Sequence, residues 1–154
     1  MDRTRLGARA ATVGLVIDGV VIGFQVALAL GAPWGSAAWG GAHPGTLPAN
    51  LRVASAVSAG VWTGVALLTA RRGGRSVPAL VPDRALAPVL WGLTGMSALG
   101  VVLNLATPSA VERAIWAPVA GAGALALAVT AAWGPGGRTA DRHRDQAPPA
   151  RPAG

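Results

Sequence analysis

The chain has 154 residues, 52% of them hydrophobic and only 12% charged, with a formal net charge of +7 in which every basic residue is arginine. Soluble domains carry about 25% charged residues, so this composition excludes an ordinary water-soluble domain and describes a chain whose outer surface meets lipid. The absence of cysteine excludes disulfides, thiolate metal sites and thiol catalysis.

A basic head with Arg3, Arg5 and Arg9 precedes the first apolar run, at about residues 8–30. That run is longer than the ~7–15 residues of a signal-peptide core, and it contains Asp18 and Gln25. It is expected to remain as a membrane span. Residues 31–50, GAPWGSAAWGGAHPGTLPAN, are too rich in glycine and proline for a regular helix. With Trp34, Trp39 and His43 they are expected to fold back on the membrane surface, the tryptophans at headgroup level. A second span is expected at about residues 51–70, ending at Arg71, Arg72, Gly73, Gly74 and Arg75. The third is expected at about residues 85–106, with Pro88 in its first turn, where a missing N–H is tolerated. After Thr107-Pro108-Ser109, the fourth is expected at about residues 111–133; Ser109 and Glu112 stand in capping-box spacing. Residues 135–154, rich in glycine, proline and arginine, read as a disordered tail.

The expected fold is therefore an all-α four-helix bundle embedded in a membrane, one transmembrane domain over residues 1–134. Arginine sets its orientation. Arg3, Arg5, Arg9, Arg71, Arg72, Arg75, Arg84, Arg138, Arg142, Arg144 and Arg151 fall on one side, and only Arg52 and Arg113 on the other. The positive-inside rule then puts both termini in the cytoplasm of a bacterial cell, with a multi-pass protein in its plasma membrane. Arginines at span ends, rather than along one basic face, argue against nucleic acid as a partner. The expected partners are the lipid bilayer and a second copy or another membrane protein. Small-residue stripes point to a compact bundle rather than to a particular dimer, because close backbone approach and not apolar burial joins helices in lipid. Gly19 and Gly23, then Ala56, Gly60 and Gly64, then Ala120, Ala124 and Ala128 have the spacing for it.

Few residues carry chemistry. Asp18 lies about ten residues into the first span, ~15 Å along the helix and near the bilayer midplane. An ionised carboxylate there costs at least ~2.5–3.5 kcal/mol, so Asp18 should face the bundle, a cavity or a partner. Gln25, seven residues on, shares its face. Trp62, in the middle of the second span, can line a small-molecule pocket or simply pack in the bundle. His43, Arg52, Asn104, Glu112 and Arg113 should gather at the outer interface, where Arg52 and Glu112 could form an ion pair. The two histidines, His43 and His143, fall on opposite sides, and no zinc, nucleophile-elbow, P-loop or dinucleotide motif occurs. Neither a metal nor a cofactor is expected.

Two stretches, GAPWGSAAWGGAHPGTLPANLRVAS and NLATPSAVERAIWAPVA, resemble a family of small four-span integral membrane proteins of high-GC bacteria with no assigned activity. The shared parts are residues 33–35 and 39–41, Leu47, Pro48 and Arg52, and the run from Asn104 through Glu112 and Arg113 to Ala117, Pro118 and Val119. The resemblance implies the four-span fold and adds weight to the outer cluster. In architecture alone the chain is also similar to small multidrug-resistance transporters, which carry a membrane carboxylate in their first span. It departs from them in having Asp for Glu, longer loops and no tyrosine. The leading expectation is a non-enzymatic bundle acting by association with itself, a membrane complex or lipid. The alternative is a proton-coupled carrier of small amphipathic molecules using Asp18, with Trp62 lining the path. A third is a membrane enzyme acting on a lipid or isoprenoid, with His43 or Glu112 as proton shuttle.

Overall fold

A computed structural model describes residues 2–136 as four α-helices, α1 (Arg3–Leu30), α2 (Ala49–Arg72), α3 (Asp83–Ala106) and α4 (Ala110–Trp133). Two short 3₁₀ turns, Gly35–Ala37 and Trp39–Gly41, interrupt the first loop. All four helices are long and apolar enough to cross a membrane. The tail expected at residues 135–154 lies outside the described residues from residue 137 onward.

The helix ends follow from local chemistry. The α1 helix begins five residues before the expected span because Asp2 caps it, its Oδ1 accepting from the Thr4 N–H at 3.0 Å. It ends at Gly31 in the left-handed region, φ 100°. There the Gly31 and Ala32 N–H groups donate to the Leu28 and Ala27 carbonyls, a Schellman close. Arg71 and Arg72 fall in the last turn of α2, where positive charge complements unpaired carbonyls. Ser109 caps α4, its Oγ accepting from the Glu112 N–H at 3.1 Å. The other half of the expected box is absent, because the Glu112 carboxylate accepts instead from Thr107 Oγ1 at 2.8 Å. Pro88 sits in the second turn of α3 rather than the first, because that helix starts at Asp83; both α3 and α4 run on through their prolines.

The α1 helix is central, packing against α2 on one side and α4 on the other, while α3 packs against α4. The buried positions of α1 are Gly7, Ala11, Gly14, Asp18, Val21 and Leu28. Their alternating steps of four and three residues put them on one stripe, with Gln25 completing the register. Its first half is small. At Gly7 an added Cβ would collide with the Trp133 carbonyl and the Gly134 backbone, and at Gly14 it would lie 3.3 Å from Thr69 Cγ2 and 3.6 Å from Ala126 Cβ. Three helices therefore converge tightly along this half.

The arginines of the α2–α3 connection tie the same end together. Arg71 pairs with Asp83 across the α2–α3 turn. Arg72 is buried and donates from Nη2 to the Ala131 carbonyl at 2.9 Å and from Nη1 to the Gly136 carbonyl. Arg75 reaches Thr12 Oγ1 at 2.8 Å. An apolar cluster of Val65, Leu68, Leu86, Leu90, Leu127 and Ala131 fills the space between α2, α3 and α4 there. Alternating helix direction brings the start of α1, the end of α2, the start of α3 and the end of α4 to this one arginine-rich end.

The glycines of the small-residue stripes expected on α1 and α2 do not join helices within the described residues. Added Cβ atoms at Gly19, Gly23, Gly60 and Gly64 would meet nothing within 4 Å, so these glycines face outward. The packing stripe of α1 runs through Gly7 and Gly14 instead, one helix face away.

A cavity behind the first loop

Away from the arginine end α2 and α3 part, since they share few contacts and those join the cluster just described. The gap is a cavity of about 400 Å³ walled by all four helices and roofed by Ala37, Ala38 and Trp39 of the first loop. Its lining residues Val61 on α2 and Met96 on α3 are 59% and 68% exposed. They mark a mouth that opens sideways between two apolar helices.

The roof is pinned by aromatic side chains. Trp39 Nε1 donates to Ser55 Oγ on α2 at 3.1 Å, and Trp116 Nε1 on α4 donates to the Ala37 carbonyl at 2.7 Å. Phe24 of α1 lies between the Trp34 and Trp116 rings, with centroids at 6.0 and 4.6 Å. Ser109 Oγ donates to the Ser36 carbonyl, and Leu28, Ala38 and Leu47 form a second small core beneath. Trp39 itself holds φ 53°, followed by Gly40 at 79° and Gly41 at 72°. A left-handed conformation is rare and costly for a bulky residue, and here it turns the indole toward both Ser55 and the cavity. Gly41 is required by close approach, as an added Cβ would lie 2.6 Å from that of Ser109.

Asp18 and Gln25 both line this cavity. Asp18 is 3% exposed and its Oδ2 has no hydrogen-bond partner among the described residues; Gln25 Oε1 is likewise buried without one. Trp62 lines the opposite wall and packs on the apolar cluster at the arginine end. The outer cluster divides. Asn104 and Glu112 line the cavity, Asn104 donating from Nδ2 to the Gly100 carbonyl. Arg52, Arg113 and His43 are not among its walls. The ion pair expected between Arg52 and Glu112 does not form. Arg52 Nε donates instead to the Ala29 carbonyl at the end of α1, and Arg113 Nη1 to the Thr107 carbonyl. Each cation thus satisfies a helix-end carbonyl close to hand, and Glu112 is already held by Thr107.

Sequence reasoning did not single out Phe24, Trp116, Ser97 or Ala120 as cavity walls. Trp116 is also a roof pin. The available signal was the seven-residue step linking Asp18 to Gln25, which also runs back to Ala11 and Gly14.

No family model, curated protein or solved structure matches the chain.

Proposed function

We propose that the chain is a multi-pass protein of a bacterial plasma membrane, with four spans and both termini cytoplasmic, that takes a small amphipathic molecule into the cavity between α2 and α3. The observation that carries this reading is the pairing of two buried side-chain acceptors, Asp18 and Gln25, neither satisfied by any described residue, with a cavity they both line. A buried polar group without a partner costs about 1–3 kcal/mol, and more for a carboxylate within a bilayer. An occupant with a polar head would meet that need, and an apolar tail would suit the remaining walls. Lateral access from the lipid supports an amphipathic rather than a freely soluble ligand. This favours binding, and carriage if Asp18 exchanges its occupant for a proton, over association alone.

The test uses the purified protein in nanodiscs of neutral lipid, with dodecanol, dodecylamine and dodecanoate as probes. At least one should raise the unfolding temperature, and Ala120→Trp, which fills the cavity, should remove the effect. No protection by any probe, or protection indifferent to Ala120→Trp, overturns the reading. Orientation is checked separately: reporters fused at either terminus should be active in the cytoplasm, and one fused within residues 40–45 should be active outside.

Association with a second copy or another membrane protein is supported by the outward glycines of α1 and α2. Gly60→Leu should leave the melting temperature of the monomer within a degree or two, since nothing stands in the new side chain's way. A shift in oligomer size on cross-linking of the same variant would assign that face to self-association.

A further inference from the structure

The cavity's ionisable side chains have one sign, and several acceptor oxygens stand beside them. Asp18 and Glu112 offer carboxylate oxygens, Gln25 offers Oε1, and Asn104, whose Nδ2 is engaged with Gly100, offers its carbonyl oxygen. Among the described residues no arginine or histidine lines the cavity, although the chain has 13 basic residues. The walls add the π faces of Trp62, Trp116 and Phe24, which attract a cation. A carboxylate, sulfonate or phosphate entering this space would be desolvated against like charge, which is strongly unfavourable.

Glu112 already accepts from Thr107 Oγ1 and lies at the start of α4. Asp18 stands deeper on α1, facing the cavity, with no bond to any described residue. Of the two carboxylates it is therefore the one left for the ligand.

We infer that the occupant is a lipophilic primary or secondary amine, entering from the bilayer between Val61 and Met96 and donating an ammonium N–H to the Asp18 carboxylate. This rests on the cavity reading above and goes further in assigning the head group. The N–H requirement follows from the site itself. A buried carboxylate needs a hydrogen bond as well as opposite charge to offset its desolvation. A quaternary ammonium supplies the charge but no donor, and its methyl shell holds the nitrogen away from the oxygens. An alcohol supplies a donor but no charge. The amine alone supplies both.

The experiment measures binding of dodecylamine, dodecyltrimethylammonium, dodecanol and dodecanoate to the full chain in neutral nanodiscs, comparing wild type with Asp18→Asn and Ala120→Trp. Dodecylamine should bind at least tenfold more tightly than each of the other three. Asp18→Asn should erase that advantage while keeping the wild-type helical circular-dichroism signal, which shows the variant to be folded. Equal binding of dodecylamine and dodecyltrimethylammonium overturns the N–H requirement. An amine preference that survives Asp18→Asn overturns the assignment to Asp18. In both cases loss of all binding in Ala120→Trp leaves the cavity reading standing. If Ala120→Trp binds every probe as wild type does, the cavity reading falls and the amine assignment falls with it.

Discussion

Asp18→Leu is expected to make the purified protein more stable and unable to bind. Apart from Gln25, the α1 stripe that holds Asp18 is glycine, alanine, valine and leucine, and Asp18 Oδ2 is buried without a partner among the described residues. Removing an unsatisfied buried acceptor in favour of an apolar group of similar size should raise stability by about 1–3 kcal/mol, visible as several degrees in a thermal melt. Amine binding in the same preparation should fall at least tenfold. A group kept at the expense of stability is the mark of a functional site. A lower melting temperature for Asp18→Leu would instead identify Asp18 as a structural residue that locks α1 to its neighbours, and would remove the main support for the binding role.

Gly7→Leu is expected to be strongly damaging. The added side chain would drive into the Trp133 carbonyl and the backbone of Gly134, neither of which can rotate away. Overpacking typically costs about 1–3 kcal/mol, and more where backbone must move. Here it would also separate α1 from α4 at the end where Arg72 clasps the Ala131 carbonyl. The variant should denature at markedly lower detergent concentration than wild type and elute as a broadened peak. Gly19→Leu on the same helix, with open space around it, is the control and should fall within about 0.5 kcal/mol of wild type. Similar losses in both would show that α1 packs through a different face.

The four helices were legible because hydropathy over a span of ~20 residues is a strong signal, and Ser109 announced the start of α4. The boundaries shifted where the signal was not apolarity. The α1 helix starts at Arg3 because a single capping Asp suffices to extend it through the basic head. Which face of each helix packs was not legible from small residues. Gly and Ala are so frequent here that GxxxG spacing recurs on faces that touch nothing, while the true α1 seam includes Asp18 and Gln25, which a search for small side chains skips. The convergence of Asp18, Gln25 and Trp62 on one cavity depends on how α1 and α2 are rotated, and so on tertiary packing. The Arg52–Glu112 pairing failed for a related reason: sequence shows charges but not the carbonyls and hydroxyls at helix ends that claim them first. The roof over the cavity depends on three successive left-handed residues, of which only Gly40 and Gly41 gave any sign; Trp39 gave none.

The lopsided union of α2 and α3 gives the molecule leverage. A helix of 24 residues is ~36 Å long, and α2 is moored to its neighbour at one tip only. Pivoting by roughly 5° about that mooring swings the far tip ~3 Å at this rise per residue, comparable to the thickness of an alkyl chain. With α2 also packed on α1, such a swing would widen or narrow the slot only by turning α2 on α1, and the Trp39–Ser55 and Arg52–Ala29 bonds are the ones it would strain.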